Sequence, residues 1–166
     1  MSAGRVAAFG MALALGMLPL AAGAADLPDF KTCSKQLARG AKPLPAEQHR
    51  QCVIAIASTY VDFEQGTRPR DEVLLADDVS RHPLGTPADH QPGAQEKIRA
   101  SKVMDIIGAI KNRSWIADGN TAWVTYEGFL KADMSKPGFW VAERFTIEDG
   151  VIKEILLPQP AMAKKE

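Results

Sequence analysis

An α+β fold is predicted, because the period of the apolar residues changes once along the chain. Cys52, Val53, Ile56, Tyr60 and Phe63 recur at helical spacing. From Arg113 onward the repeat is two: Trp123, Thr125, Glu127 and Phe129 alternate with Val124, Tyr126 and Gly128. Asp149-Gly150 then joins two such runs, as a tight hairpin requires. Helices first and a meander of strands afterwards place the helices on one face of a curled antiparallel sheet.

The first residues stand apart from this domain. Arg5 is the only charge before an apolar run from Val6 through Leu20, and Ala22-Gly23-Ala24 has the small-x-small pattern of a cleavage site. The run is shorter than the roughly 20 residues of a spanning helix, so a signal peptide over 1–24 is expected instead of an anchor. Residues 25–45, with Pro28, Gly40, Pro43 and Pro45, read as an N-terminal arm carrying a short helix near Cys33–Leu37. The domain itself is placed at 46–158, with a flexible tail over 159–166.

Within the domain, Pro45-Ala46-Glu47 starts the first long helix and Gly66 ends it. Asp71 to Leu75 is expected as a second, short helix. Ile98, Val103, Ile106, Ile107 and Ile110 predict a third over Gln95–Ile110. Strands are expected at Arg113–Ala117, Ala122–Leu130, Phe139–Glu148 and Val151–Leu157, with turns at Asp118-Gly119-Asn120 and Asp149-Gly150.

Composition limits the partners. The chain of 166 residues holds 20 basic and 20 acidic side chains, so no overall charge draws it to nucleic acid. Cys33 and Cys52 are its two cysteines, and in an oxidising compartment a pair is most simply a disulfide; two buried free thiols are the alternative. No cluster has metal-ligand spacing, and no phosphate-cradling or dinucleotide fingerprint occurs, so neither metal nor cofactor is expected. A periplasmic or secreted location follows from the leader.

Two segments carry a resemblance to the NTF2-like (SnoaL-like) superfamily. Ala142 to Ile155, with Phe145, the Asp149-Gly150 turn and Ile152-Lys153-Glu154-Ile155, resembles the closing hairpin of those proteins. Leu75-Ala76-Asp77-Asp78-Val79 resembles the front of their first strand. The resemblance implies a cone of about three helices on a strongly curved sheet, with a pocket inside and dimers formed through the outer sheet face. It leaves the chemistry open, since this fold hosts isomerases, dehydratases, cyclases, hydrolases and inert binding modules.

Steroid Δ-isomerases within that superfamily offer a closer local comparison. Tyr60-Val61 is similar to the tyrosine-valine of their first helix. His82-Pro83-Leu84-Gly85 stands where they have their catalytic aspartate, and Glu143, two before Phe145, where they keep a protonated aspartate. Two of the three differ in residue type. The comparison implies a base at His82 and oxyanion donors at Tyr60 and Glu143, for proton transfer beside a carbonyl. Glu143 donates only if an apolar cavity holds it neutral, the device the isomerases use. An ionised Glu143 would instead pair with Arg144, Arg81 or Arg113, or orient His82.

Phe63, Trp115, Tyr126 and Trp140 are the aromatics expected to line the pocket, where they would suit a small hydrophobic ligand. Two readings therefore stand side by side. One is a homodimeric pocket protein, with or without cofactor-independent proton-transfer chemistry. The other is a non-catalytic interaction domain acting through its outer sheet face.

Overall fold

The computed structural model describes residues 27–157. The signal peptide and tail expected at the two ends lie outside the described residues. The helix α1 (Phe30–Gln36) opens at Asp29, whose carboxylate accepts from the Thr32 amide at 2.8 Å and hydroxyl at 2.7 Å. The helix α2 (Ala46–Glu64) starts directly after Pro45 and closes at Gly66, which takes φ 77°. From Cys52 to Glu64 nearly its whole circumference is buried, between α1 on one side and the sheet on the other.

Asp71–Leu75 is not the expected second helix. One tight turn forms at Arg70–Glu72, and the chain then extends into β1 (Leu75–Pro83). Strand pairing wins there: Leu75 stands opposite Ile152, and the Ile152 amide donates to the Leu74 carbonyl at 2.7 Å. The long helix expected over Gln95–Ile110 is also replaced, by two short pieces, α3 (Ala94–Arg99) and α4 (Val103–Ile106). At Ile107 the chain is already paired with Leu130, so β2 (Ile107–Asp118) begins well before Arg113. The strands β3 (Thr121–Leu130), β4 (Phe139–Glu148) and β5 (Val151–Leu157) follow as the sequence predicts.

The sheet runs β1-β5-β4-β3-β2. The meander from β2 to β5 is antiparallel, but β1 pairs with β5 in parallel, so the sheet is mixed where an all-antiparallel one is expected. The topology accounts for this. The chain leaves β1, crosses through α3 and α4 to the far edge, and the meander walks back until its last strand lies beside the first. A bulge in β2, with Asn112 at φ 55° and a register slip between Lys111 and Ser114, bends the sheet around α2.

The concave face carries the core. Tyr60 packs on Phe63 and Phe145 with ring centroids 6.1 and 5.7 Å apart, and Trp115 lies 6.2 Å from Phe145. The Asp149-Gly150 turn, both residues at positive φ, docks on α1, where a Cβ on Gly150 would stand 2.1 Å from the Ser34 carbonyl oxygen. The Cys33–Cys52 disulfide ties α1 to α2. Replacing both cysteines by alanine is expected to lower the unfolding free energy by about 3 kcal/mol, the loop-entropy contribution of a crosslink of this span. Denaturant titration of the variant checks this, and a loss under about 1 kcal/mol would show that packing of α1 alone holds the arm.

Candidate functional site

Between α2, the sheet and the short helix α4 lies a cavity of about 430 Å³. Its walls are apolar: Val103 and Ile106 from α4, Ile107 from β2, Leu130 from β3, Val141 from β4 and Leu157 from β5. Phe139 completes them, its ring lying across Gly128 of the neighbouring strand. A Cβ at Gly128 would fall 2.0 Å from that ring, so only glycine lets this wall form.

One end of the cavity is polar, and its groups come from distant parts of the chain. Glu64 ends α2, Arg81 lies on β1, Tyr126 on β3 and Glu143 on β4. Glu64 and Glu143 are each only 2 % exposed. The Tyr126 hydroxyl donates to Glu64 Oε2 at 2.9 Å. Arg81 Nε donates to the Tyr60 hydroxyl at 2.8 Å, and its Nη2 stands 3.8 Å from Glu64 Oε1. Glu143 Oε2 is enclosed without any hydrogen-bond partner among the described residues.

These surroundings sort the two carboxyls. Burial, and next the charge of Glu64, push Glu143 well above the ordinary value of 4.5. Burial raises Glu64 too, but Arg81 and the tyrosine hydroxyls pull the other way. The arrangement that leaves no unpaired buried charge is a neutral Glu143 acid facing a Glu64 carboxylate balanced by Arg81. Burial also raises both tyrosines, so Tyr60 and Tyr126 remain neutral phenols. An acid and a base thus share one wall of an apolar chamber.

Of the residues singled out from sequence, Glu143 and Tyr126 line this cavity. Tyr60 sits behind it, buried, with its hydroxyl on Arg81. Phe63 and Trp115 belong to the core beneath instead of the lining. His82 is turned away. Along β1 alternate side chains face opposite ways, so Arg81 enters the cavity and His82 points to the outer side. There its Nδ1 meets the Thr86 carbonyl at 2.7 Å and its Nε2 meets Glu154 Oε1 at 3.0 Å, and Arg144 also bonds Glu154. The same parity places Trp140, which is 65 % exposed, on the outer face, while its neighbours Phe139 and Val141 line the cavity.

Glu64 is absent from the sequence-derived set, and Arg81 enters it only as one of three arginines that an ionised Glu143 could pair with. Glu64 had a signal: it lies one turn after Tyr60 on the apolar face of α2, where an isolated carboxylate needs a reason. Arg81 is singled out from Arg113 and Arg144 only once β1 is known to be a strand.

A long helix cupped by a curved sheet, enclosing an apolar chamber with a buried acid pair, defines an α+β cone of the NTF2-like kind. The chain belongs to the family described as a domain of unknown function, DUF8021, whose pattern matches residues 46–156. No curated protein matches it in sequence. Among solved structures, it is similar to a de novo designed protein with a curved β-sheet, at 18% identity and TM-score 0.53 over 68% of this chain and 88% of that one. It is also similar to a Mycobacterium tuberculosis LEH-like epoxide hydrolase (19% identity, TM-score 0.47, 66% of this chain and 84% of that one). A third is an epoxide hydrolase/cyclase-like enzyme of pyran ring formation in the polyether salinomycin (16% identity, TM-score 0.47, 69% and 93%). At 18% identity the likeness to the designed protein is one of fold.

Proposed function

We propose that the cavity binds a small, largely apolar molecule bearing a carbonyl group and carries out proton transfer next to that carbonyl without a cofactor. The observation that supports this is the pairing of Glu64 and Glu143 at the polar end of an otherwise greasy chamber. In this reading the neutral Glu143 donates a hydrogen bond to the carbonyl oxygen. The Glu64 carboxylate takes the α-proton, and the enolate oxygen formed is held by the Glu143 acid. Arg81, oriented by Tyr60, stabilises the Glu64 carboxylate, and Tyr126 fixes its position. Returning the proton to another carbon gives isomerisation; loss of a β-substituent from the enolate gives elimination.

Incubation of the protein with methyl octyl ketone in deuterated buffer tests the reading. Catalysed deuterium incorporation beside the carbonyl, followed by NMR, is expected. Binding without incorporation would leave a ligand carrier in place of an enzyme.

The outer sheet face favours a second role. Ile116, Trp123 and Trp140 are exposed there on adjacent strands. We propose that this face forms a homodimer, so Trp140→Glu is expected to yield monomers in sedimentation equilibrium at micromolar concentration. A native protein that is already monomeric under those conditions would refute the dimer. Export to the periplasm or beyond is proposed on the leader-like sequence, and the Cys33–Cys52 disulfide is compatible with it.

A further inference from the structure

Two groups at the polar end of the cavity have hydrogen-bonding capacity that the protein leaves unused. Arg81 is the one basic side chain among the described residues that line it. A guanidinium presents several N–H donors in a flat fork. Among the described residues only its Nε is hydrogen-bonded, to the Tyr60 hydroxyl at 2.8 Å; Nη2 lies 3.8 Å from Glu64 Oε1, beyond hydrogen-bonding reach. The side chain is 39 % exposed, so an incoming acceptor meets the Nη donors without breaking an existing hydrogen bond. The second group is Glu143, which is buried and whose Oε2 is enclosed with no hydrogen-bond partner among the described residues. Buried polar atoms are nearly always paired, so an orphan in the lining of a cavity points to a ligand that supplies the partner.

We infer that the substrate is an apolar oxo acid, its carboxylate seated on the free Nη donors of Arg81 and its carbonyl oxygen meeting Glu143. The inference rests on the reading of this cavity as a ligand pocket and adds a second polar group to what it holds. A carboxylate matches the fork of a guanidinium with two parallel N–H···O bonds, which a lone ketone oxygen cannot make. A plain ketone satisfies Glu143 and leaves the Nη donors to solvent. An oxo acid satisfies both groups, and its chain runs along Ile107, Leu130, Val141 and Leu157. Glu64 works against the anchor, since its carboxyl group stands near the same guanidinium. Its Oε2 is already held by Tyr126, and a guanidinium shared by two anions offsets their repulsion. A moderate gain is therefore expected in place of that of an unopposed buried pair. Arg81 is thus the specificity-determining residue for the acid group.

Calorimetric titration of α-oxodecanoate, its methyl ester and methyl octyl ketone at neutral pH tests the anchor. The oxo acid is the ketone with its methyl group replaced by a carboxylate, and the ester keeps the oxygens without the charge. The native protein is expected to bind the oxo acid about tenfold, and at least about threefold, tighter than the ketone. The ester should stay within about threefold of the ketone. In Arg81→Gln the advantage of the oxo acid should fall below about threefold, with near-UV circular dichroism confirming that the variant is folded. A smaller advantage in the native protein, an ester as tight as the acid, or an unchanged preference in folded Arg81→Gln overturns the anchor while leaving the pocket reading intact. Acid and ester are compared on the native protein alone, so that result stands even where the variant does not fold. If none of the three compounds binds, the pocket reading itself fails, and the anchor with it.

Discussion

Arg81→Met is expected to lower the unfolding free energy by about 3 kcal/mol at neutral pH, the lower end of the range for severing a buried ion pair. The lower end applies because the Arg81 side chain is 39 % exposed and its closest approach to Glu64 is 3.8 Å. The loss arises less from the missing contact than from what stays behind, a Glu64 only 2 % exposed without a cation. Its pH dependence is diagnostic. Both carboxyls already lie above 4.5 in the folded protein, so the folded state holds protons that the unfolded chain has released. Stability from this source is fully present below about 4.5 and is lost as pH rises through the folded values. Arg81 opposes that rise, and its removal drives both groups further up. The variant should therefore approach the native protein in acid and fall progressively behind as pH increases. Glu143→Gln is expected to do the reverse, flattening the native protein's decline with pH. Urea titrations across this range decide the matter, and a pH-independent deficit in Arg81→Met would show that Arg81 contributes packing alone.

Glu64→Gln is expected to reduce deuterium incorporation into methyl octyl ketone by about 10²–10⁴-fold, the usual contribution of a positioned general base. An amide keeps the hydrogen bond from Tyr126 and the shape of the wall but cannot take a proton. Ketone affinity should change little, which separates loss of chemistry from loss of the pocket. His82→Ala is the informative control. Its imidazole is held by Thr86 and Glu154 on the outer side of β1, so exchange should remain within about threefold of native. The opposite pattern, with exchange lost in His82→Ala and kept in Glu64→Gln, would move the base to the histidine and require the loop after β1 to rearrange.

Local pattern was enough to read a good part of this molecule. The amphipathic run from Cys52 to Phe63 specifies α2, and the Asp149-Gly150 dipeptide specifies the closing hairpin, because each is decided by neighbours within a few residues. The cysteine pairing was legible for a similar reason, since it is the one pairing available to two cysteines. The segments Leu75–Pro83 and Gln95–Ile110 were harder. Apolar residues there satisfy helix and strand alike, and the outcome was set by partners far away, Ile152 and Leu130.

The site depends on the same distinction. Sequence alone determined that the protein has helices before a meander, a long amphipathic helix carrying Tyr60 and reaching Glu64, and a Glu143 strand ending at a tight turn. Only the tertiary structure decided that β1 is a strand lying parallel to β5. That pairing fixes which of two adjacent residues looks inward, so Arg81 meets Glu64 at the cavity and His82 meets Glu154 on the outer side. A one-residue change of parity in a strand exchanges its faces. No periodicity within β1 alone chooses between them, because the choice is made by the chamber that α2, β3 and β4 build around it.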